Sequence, residues 1–222
     1  MKALWRFVVP VLACCLPHIS AYAEIVNATV TDQSGKPVNN AIVSAYSLSK
    51  QNLPPVSPEK TIIVDQINKE FVQHVTPIQV GTAISFPNHD QIRHHVYSLS
   101  PAKNFEIPLY KGIPAEPIAF EQEGVVVLGC NIHDRMSAYI VVIDSPYFAK
   151  TEDQGSASLI LPPGEYELHF WHKDADEQST NSKQSIKMTA GQIGNISVKL
   201  NLKSSWSSER ASLLIQNRGR YR

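Results

Sequence analysis

The stretch from Gly129 to Met136, GCNIHDRM, places three possible metal ligands within seven residues. Cys130, His133 and Met136 follow one another at a C-x2-H-x2-M spacing, between the valine-rich runs GVVVLG and AYIVVID. A tight loop that leaves one strand and enters the next can turn all three side chains towards one point. A thiolate, an imidazole and a thioether together favour a soft transition metal over magnesium or calcium.

A second polar cluster, FPNHDQIRHHVYS, lies upstream at residues 86–98 and contains His89, His94 and His95. Two imidazoles and a thiolate in a trigonal plane, with a weak axial methionine, are the ligand set of a blue-copper electron-transfer site. Neighbouring residues of a strand point to opposite faces, so His94 and His95 are not expected to bind one metal together. Either of them could supply the second imidazole, and we interpret His89 as a solvated turn residue.

Other chemistries fit these residues less well. A structural zinc site normally has two or more cysteines, and methionine is a poor zinc ligand. A Cys-His nucleophile is conceivable, but the sequence shows no acyl-transfer motif beside it. It also lacks a Gly-rich phosphate loop, an H-E-x-x-H motif and the repeated His-x-His motifs of a multicopper oxidase. We therefore expect a single-metal protein that is not an enzyme.

Residues 1–23 are typical of a signal peptide. Lys2 and Arg6 precede the short apolar run FVVPVLACCL, and Ala21-Tyr22-Ala23 forms an A-x-A cleavage site. The run is too short to span a bilayer, so we expect a periplasmic protein without a membrane span. Cleavage would also remove Cys14 and Cys15 and leave Cys130 as the single thiol, which cannot form an internal disulfide.

The charge balance argues against nucleic acid as a partner. The whole chain has 20 Lys+Arg and 20 Asp+Glu, and the signal peptide carries two basic residues and no acidic one. The mature chain is therefore slightly acidic, which is not the electrostatic pattern of a nucleic-acid-binding protein. Residues 203–222 form a basic tail, and we expect a monomer that meets a redox protein partner transiently.

The sequence predicts an all-β fold. Short alternating or β-branched runs recur between Gly, Pro, Asn and Asp, a spacing typical of β-sandwiches. The predicted strands cover residues 25–30, 41–48, 61–67, 76–80, 83–86, 95–100, 124–129, 138–144, 157–161, 166–172, 184–189 and 196–202.

Two β patterns are interleaved along the chain. The opening VTDQSGKPVNNAIVSAY resembles the start of a carboxypeptidase regulatory-like sandwich, and AKTEDQGSASLILPPGEYELHFWH resembles its continuation. We therefore expect the first strands of that sandwich at 24–53, a copper domain at 60–145 and the remaining strands at 146–202. Chain order alone leaves tandem packing of separate pieces open.

The middle of the chain resembles the cupredoxin family. VTPIQVGTAISFPNHDQIRHHV is similar to the family pattern of strand, Val-Gly turn, strand, Asn-x-Asp and ligand histidine, and the C-x2-H-x2-M loop is of the amicyanin type. The resemblance implies a Greek-key β-sandwich that binds one type 1 copper through His94, Cys130, His133 and Met136. It places Asn88 and His95 next to the ligands, although the family usually has an amide where His95 stands.

The resulting hypothesis is a periplasmic blue-copper protein that carries single electrons between redox partners. With its flanking halves, the chain resembles exported plastocyanin-like proteins often labelled methylamine utilization proteins. Two alternatives stay open: an envelope copper carrier or sensor without electron transfer, and a structural β-sandwich module.

Overall fold

The computed structural model describes residues 24–49, 61–114, 116–133 and 135–203. Almost all regular structure in these ranges is β-strand, with a single four-residue helix. The strands are β1 (Glu24–Asp32), β2 (Ile42–Ser47), β3 (Ile62–Ile63), β4 (Gln66–Ile67), β5 (Glu70–Phe71), β6 (Val75–Gln79), β7 (Thr82–Ser85), β8 (His94–Ser100), β9 (Lys103–Tyr110), β10 (Ile118–Phe120), β11 (Gly124–Cys130), β12 (Ser137–Ile143), β13 (Tyr147–Lys150), β14 (Ser156–Leu161), β15 (Gly164–Trp171), β16 (Lys183–Met188) and β17 (Ile193–Leu200). The helix α1 (Glu177–Thr180) follows β15 and is capped by the Asp176 side chain.

Strands from the two ends of the described chain form one pair of stacked sheets, here called the outer sandwich. One sheet has the order β14-β1-β17 and the other β13-β2-β15-β16. Alternate residues of β1 point inwards, as its hydrophobic pattern requires, and Val26, Ala28 and Val30 are fully or almost fully buried. Leu168 and Phe170 of β15 close the same core from the facing sheet.

The middle of the chain forms a second pair of sheets, here called the inner sandwich. A five-stranded sheet in the order β6-β12-β11-β8-β9 faces a three-stranded sheet in the order β10-β7-β3. Phe86, Phe120, Leu128 and Ile140 are buried between them. This second core is separate from that of the outer sandwich, and β4 pairs with β5 in a short hairpin at its side.

Strand β12 is apolar on both of its faces and joins the two sandwiches. Ala138, Ile140 and Val142 point into the inner core, whereas Val141 and Ile143 pack towards the outer sandwich. They meet a third cluster that includes Ile42 of β2 and the ring of Trp171 of β15. A strand buried on both faces needs a nearly continuous apolar run, which explains why AYIVVID shows no alternation.

The all-β prediction is confirmed, because the described residues form stacked β-sheets. The predicted signal peptide and almost all of the basic tail lie outside the described residues, as do all residues between the predicted first strands (24–53) and the predicted copper domain (60–145). The domain boundaries stay a prediction, although β1 and β2 do pair with strands that follow residue 146. No helix within the described ranges is long and apolar enough to cross a membrane.

The junction between the sandwiches can be tested at Ile143, which is 3% exposed. The change Ile143→Ala should lower the free energy of unfolding by about 2–5 kcal/mol, because it removes buried methyl groups and leaves a cavity. Ile160→Ala on β14 is the matched control, since that side chain is 63% exposed and should change stability by no more than about 0.5 kcal/mol. Urea unfolding measures the change in the free energy of unfolding in the two variants. A change in Ile143→Ala as small as that in Ile160→Ala would contradict packing across the junction.

Candidate metal centre

The loop between β11 and β12 is built from two consecutive turns. The amide of His133 donates to the Cys130 carbonyl at 3.4 Å, and the amide of Met136 donates to the His133 carbonyl at 2.9 Å. A third hydrogen bond, from the Cys130 amide to the Met136 carbonyl at 3.2 Å, closes the loop where the two strands meet. The two residues between successive candidate ligands therefore form one turn closed by an i to i+3 hydrogen bond. Two such turns bring Cys130, His133 and Met136 to the same side of the loop.

Three candidate ligands converge at this loop. Cys130 Sγ lies 3.6 Å from His94 Nδ1 and 3.7 Å from His133 Nδ1. One ligand atom from each of the three side chains lies within 4.8 Å of the others. Cys130 and His94 are buried and His133 is partly exposed, while Met136 is 2% exposed and belongs to the same buried cluster as Cys130.

These distances suit a metal ion bound between the three atoms. Bonds of about 2.3 Å to sulfur and about 2.0 Å to nitrogen, at angles between tetrahedral and trigonal, separate the sulfur and nitrogen atoms by roughly 3.5–3.8 Å. The observed separations of 3.6 and 3.7 Å fall within that range. One thiolate with two imidazoles beside a buried thioether fits copper better than zinc, which prefers more thiolates and no thioether.

Asp90 fixes the orientation of the His94 ring. Its Oδ2 atom lies 2.7 Å from His94 Nε2, on the side of the ring opposite Cys130. Burial raises the pKa of Asp90, but the hydrogen bonds from His94 and from the amides of Lys69 and Asn68 outweigh burial and hold that pKa below its usual range. An ionised carboxylate accepts a hydrogen bond from Nε2–H, which leaves the lone pair on Nδ1, facing the thiol.

The turn before His94 is held by buried polar groups. Asn88 Nδ2 donates to the carbonyl of Ile92 at 2.9 Å and to that of Tyr110 at 3.0 Å, and Asn88 Oδ1 accepts from the Asp90 amide. The Tyr110 hydroxyl donates to the Phe86 carbonyl at 2.6 Å, and burial raises the pKa of Tyr110 to about 12. Asn88 therefore shapes the turn that carries both Asp90 and His94.

His95 points away from the cluster. A bulge separates His94 from Val96 in the β8–β9 ladder, and the His94 and His95 side chains lie on opposite faces of β8. His95 Nε2 lies 2.9 Å from Glu106 Oε1, in a contact without hydrogen-bond geometry. Its carbonyl accepts the Asn131 amide at 3.3 Å, so the contact of His95 with the ligand loop is through its backbone.

The structure also assigns positions to residues outside the predicted ligand set. His89 is 61% exposed and contacts Asp65, away from the cluster. Asp134 lies outside the described residues. Asp90 is the contact that sequence reasoning missed, and the available signal was its position four residues before His94 within the Asn-x-Asp turn.

Comparison with known proteins gives matches among solved structures. No family model matches the chain, and no curated protein matches it. A reduced Cu(I) form of an amicyanin variant shows 18% identity and a TM-score of 0.35, covering 45% of this chain and 99% of its own. The oxidised state of another amicyanin variant shows 17% identity and a TM-score of 0.35, covering 47% of this chain and 100% of its own.

The contact between Asp90 and His94 can be tested with Asp90→Asn. The amide cannot hold Nε2 as strongly as a carboxylate, so the ring loses its fixed orientation, and we expect the affinity for cobalt(II) to fall about 10–100-fold. Competition titration with a chelator, followed by the cobalt absorption bands, measures the change. Glu167→Gln is the matched control, because Glu167 contacts His169 at the same 2.7 Å in the outer sandwich. Equal cobalt affinity in both variants would contradict the positioning role of Asp90.

Proposed function

We propose that this protein is a one-electron carrier of the cupredoxin type, with a single type 1 copper held by His94, Cys130, His133 and Met136. The observation that carries the proposal is the approach of two imidazole Nδ1 atoms to one thiol, at 3.6 and 3.7 Å. When bound, copper supplies reversible one-electron chemistry between its +1 and +2 states. Two imidazoles around one thiol, with Met136 in the same buried cluster as Cys130, support a metal-binding carrier over a Cys-His nucleophile.

The four side chains have different parts in this proposal. Cys130 supplies the strongly donating thiolate and is almost fully buried, which keeps water from the sulfur. His94 is held by Asp90 and cannot rotate freely. Met136 is buried beside them and supplies a weak thioether that tunes the reduction potential. Because the loop closes on itself by hydrogen bonds, the ligands can keep the same positions in both oxidation states.

His133 is the proposed exit for the electron. It is the one member of the His94, Cys130 and His133 cluster that is partly exposed. Its neighbour Ile132 is 47% exposed and places apolar surface next to the imidazole. A short path from the thiol through an exposed imidazole edge suits brief contact with a redox protein, which needs only a small interface.

The cellular setting is proposed from the sequence. The signal-peptide pattern at residues 1–23 supports export to the periplasm, where Cys130 would be the only cysteine of the mature chain. A single thiol in an oxidising compartment gains protection from burial and from metal binding. The resemblance to methylamine utilization proteins supports amine oxidation as the process to examine first.

Loading with copper(II) tests the proposed function. We expect an intense thiolate-to-copper charge-transfer band in the visible spectrum and a small copper hyperfine splitting in the electron paramagnetic resonance spectrum. His94→Ala should abolish the band, whereas His95→Ala should keep it, because the His95 side chain points away from Cys130.

Different results would favour other functions. A colourless protein that binds only Cu(I) would point to a copper carrier or sensor, and equal affinity for zinc would contradict a copper site. Loss of the band in His95→Ala with its retention in His94→Ala would show that the assignment of the second imidazole is wrong. Cys130→Ser is the control that removes the thiolate and must abolish the band.

Replacement of Met136 tests the thioether. Met136→Leu should raise the reduction potential of the copper-loaded protein, because removing a weak electron donor destabilises the oxidised state. The two side chains have similar volumes, so the stability should change by less than about 1.5 kcal/mol. Met188→Leu is the matched control, since Met188 is equally buried, at 2% exposure, in the outer core. Cyclic voltammetry measures the reduction potential of the two variants. An unchanged potential in Met136→Leu would show that Met136 is only a core residue.

A further inference from the structure

The short hairpin of β4 and β5 lies beside the turn that carries Asp90. Its two strands are antiparallel, and Gln66 stands directly opposite Phe71. Directly paired residues of an antiparallel ladder point to the same face. Both side chains are buried, and Phe71 belongs to the same buried cluster as Cys130 and Met136. One face of the hairpin is therefore part of the inner sandwich, next to the candidate metal centre.

Gln66 fastens this hairpin to the neighbouring segment of the chain. Its side-chain amide donates to the carbonyls of Phe86 at 3.2 Å and Pro87 at 3.1 Å, and also to the hydroxyl oxygen of Tyr110. Its backbone amide donates to the Pro87 carbonyl at 3.1 Å, and its carbonyl accepts the His89 amide at 3.0 Å. Backbone and side chain of one residue thus bind the strand that leads to the ligand turn.

The stability of the core alone does not explain a glutamine at this position. Gln66 is fully buried, and its Oε1 atom has no hydrogen-bond partner among the described residues. An unpaired buried acceptor destabilises a fold, and an apolar side chain of similar size would avoid that cost. The hydrogen bonds of Gln66 instead fix the position of the hairpin relative to the turn between Asn88 and His94.

The tip of the hairpin donates two backbone amides to Asp90. The Asn68 amide lies 2.6 Å from Oδ1 and the Lys69 amide 2.8 Å from Oδ2, the atom that also contacts His94 Nε2. The φ angles of Asn68 and Lys69 are 58° and 65°, as in a type I′ turn, where both central residues have positive φ. Lysine rarely adopts this conformation, which glycine adopts without steric cost. The strained turn directs two N–H groups at the carboxylate that holds the His94 ring.

We propose that the β4–β5 hairpin positions His94 for the metal, and that Gln66 is the positioning residue that holds the hairpin in place. Gln66 acts on His94 through the hairpin tip and Asp90. The inference rests on the proposed function, because it concerns a ligand of the same centre. A carboxylate that accepts a hydrogen bond from a ligand imidazole orients the ring and makes it a stronger donor. The hairpin should therefore affect both the metal affinity and the reduction potential.

The role of Gln66 can be tested with Gln66→Leu, which removes the three side-chain hydrogen bonds. We expect the affinity for cobalt(II) to fall about tenfold, because Asp90 loses part of its hold on His94. In the metal-free protein, the amides of Asn68 and Lys69 should exchange with solvent at least about tenfold faster. Chelator competition and NMR-detected hydrogen exchange measure the two effects. In the copper-loaded protein, the weaker imidazole donor should also raise the reduction potential.

Thr151→Val is the matched control for the loss of buried hydrogen bonds. Thr151 is 1% exposed and lies in the outer sandwich, where its hydroxyl donates to the Val38 carbonyl at 2.7 Å and accepts the Ala41 amide at 2.9 Å. This variant should lose stability and keep the cobalt affinity and the reduction potential. A folded Gln66→Leu variant with unchanged affinity and unchanged exchange would overturn the proposal.

The exposed hairpin tip gives a second test, which does not depend on how the core accepts a leucine. Proline at position 69 has no N–H and cannot adopt a positive φ, so Lys69→Pro should also lower the cobalt affinity about tenfold. Lys69→Gly is the conservative variant, because it keeps the amide and favours the same turn, and it should retain the affinity. Equal affinity in Lys69→Pro and Lys69→Gly would contradict a role of the hairpin tip.

A double variant tests the route through Asp90. Combining Gln66→Leu with Asp90→Asn should lower the cobalt affinity no further than Asp90→Asn alone, because both changes act on the same contact with His94. Losses that add in full would show that Gln66 acts by another route and would overturn the proposal.

The two hypotheses fail in different ways. A protein with the charge-transfer band whose cobalt affinity does not respond to the hairpin variants would overturn the positioning role and leave the electron carrier in place. A protein without that band, whose cobalt affinity still falls in Gln66→Leu and Lys69→Pro, would overturn the electron carrier and leave the positioning role at a metal site of another function.

Discussion

Two pairs of backbone partners, Gly129 with Tyr97 and Cys130 with Val96, join β11 to β8. These pairs bring Cys130 to the strand that begins at His94, although 36 positions separate the two residues in the sequence. Gly129 permits this approach, because a Cβ atom there would lie 2.9 Å from the Tyr97 ring. The inward-facing thiol and the inward-facing imidazole then meet across a single strand spacing. Without this pairing, the ligand loop would hold at most three of the four candidate ligands.

The burial of β12 on both faces gives the loop a fixed support. One face of this strand packs into the inner core and the other against the outer sandwich, so a shift of β12 would disturb both sets of contacts. Met136 directly precedes β12, and the hydrogen bond from the Cys130 amide to the Met136 carbonyl links the thiol-bearing residue to that strand. The outer sandwich therefore supports the centre through β12, although the described group of His94, Cys130 and His133 contains no residue of the outer sandwich. This arrangement explains how a second sandwich can matter without adding a ligand.

The parts of the fold that the sequence predicts are those with a strong local pattern. The alternation in β1 predicts a strand because one face of β1 is buried, and the apolar run of β12 predicts a strand because both of its faces are buried. The sequence does not predict β9, because this strand contains Pro108 and several exposed residues. Both are tolerated at the edge of a sheet, where the side of the strand facing solvent makes no hydrogen bonds to a neighbouring strand. The run at 61–67 was predicted as one strand, but it breaks into β3 and β4, which belong to different sheets. At the candidate metal centre, the C-x2-H-x2-M spacing predicts the ligand loop. The contact of Asp90 with His94 could not be predicted in this way, because it depends on a turn whose shape comes from hydrogen bonds of Asn88 to distant residues such as Tyr110.

The two histidines of the cluster meet opposite physical requirements. His94 is fully buried, so its second nitrogen needs a partner, and Asp90 provides one while the backbone amides of Asn68 and Lys69 stabilise the carboxylate charge. His133 is partly exposed and its ring is positioned by the two turns of its own loop. A centre with both imidazoles buried would be rigid but remote from a partner, and one with both exposed would admit water to the thiol. The combination of one anchored and one accessible imidazole, each within 4 Å of the same sulfur, is what makes electron exchange at this end of the sandwich physically reasonable.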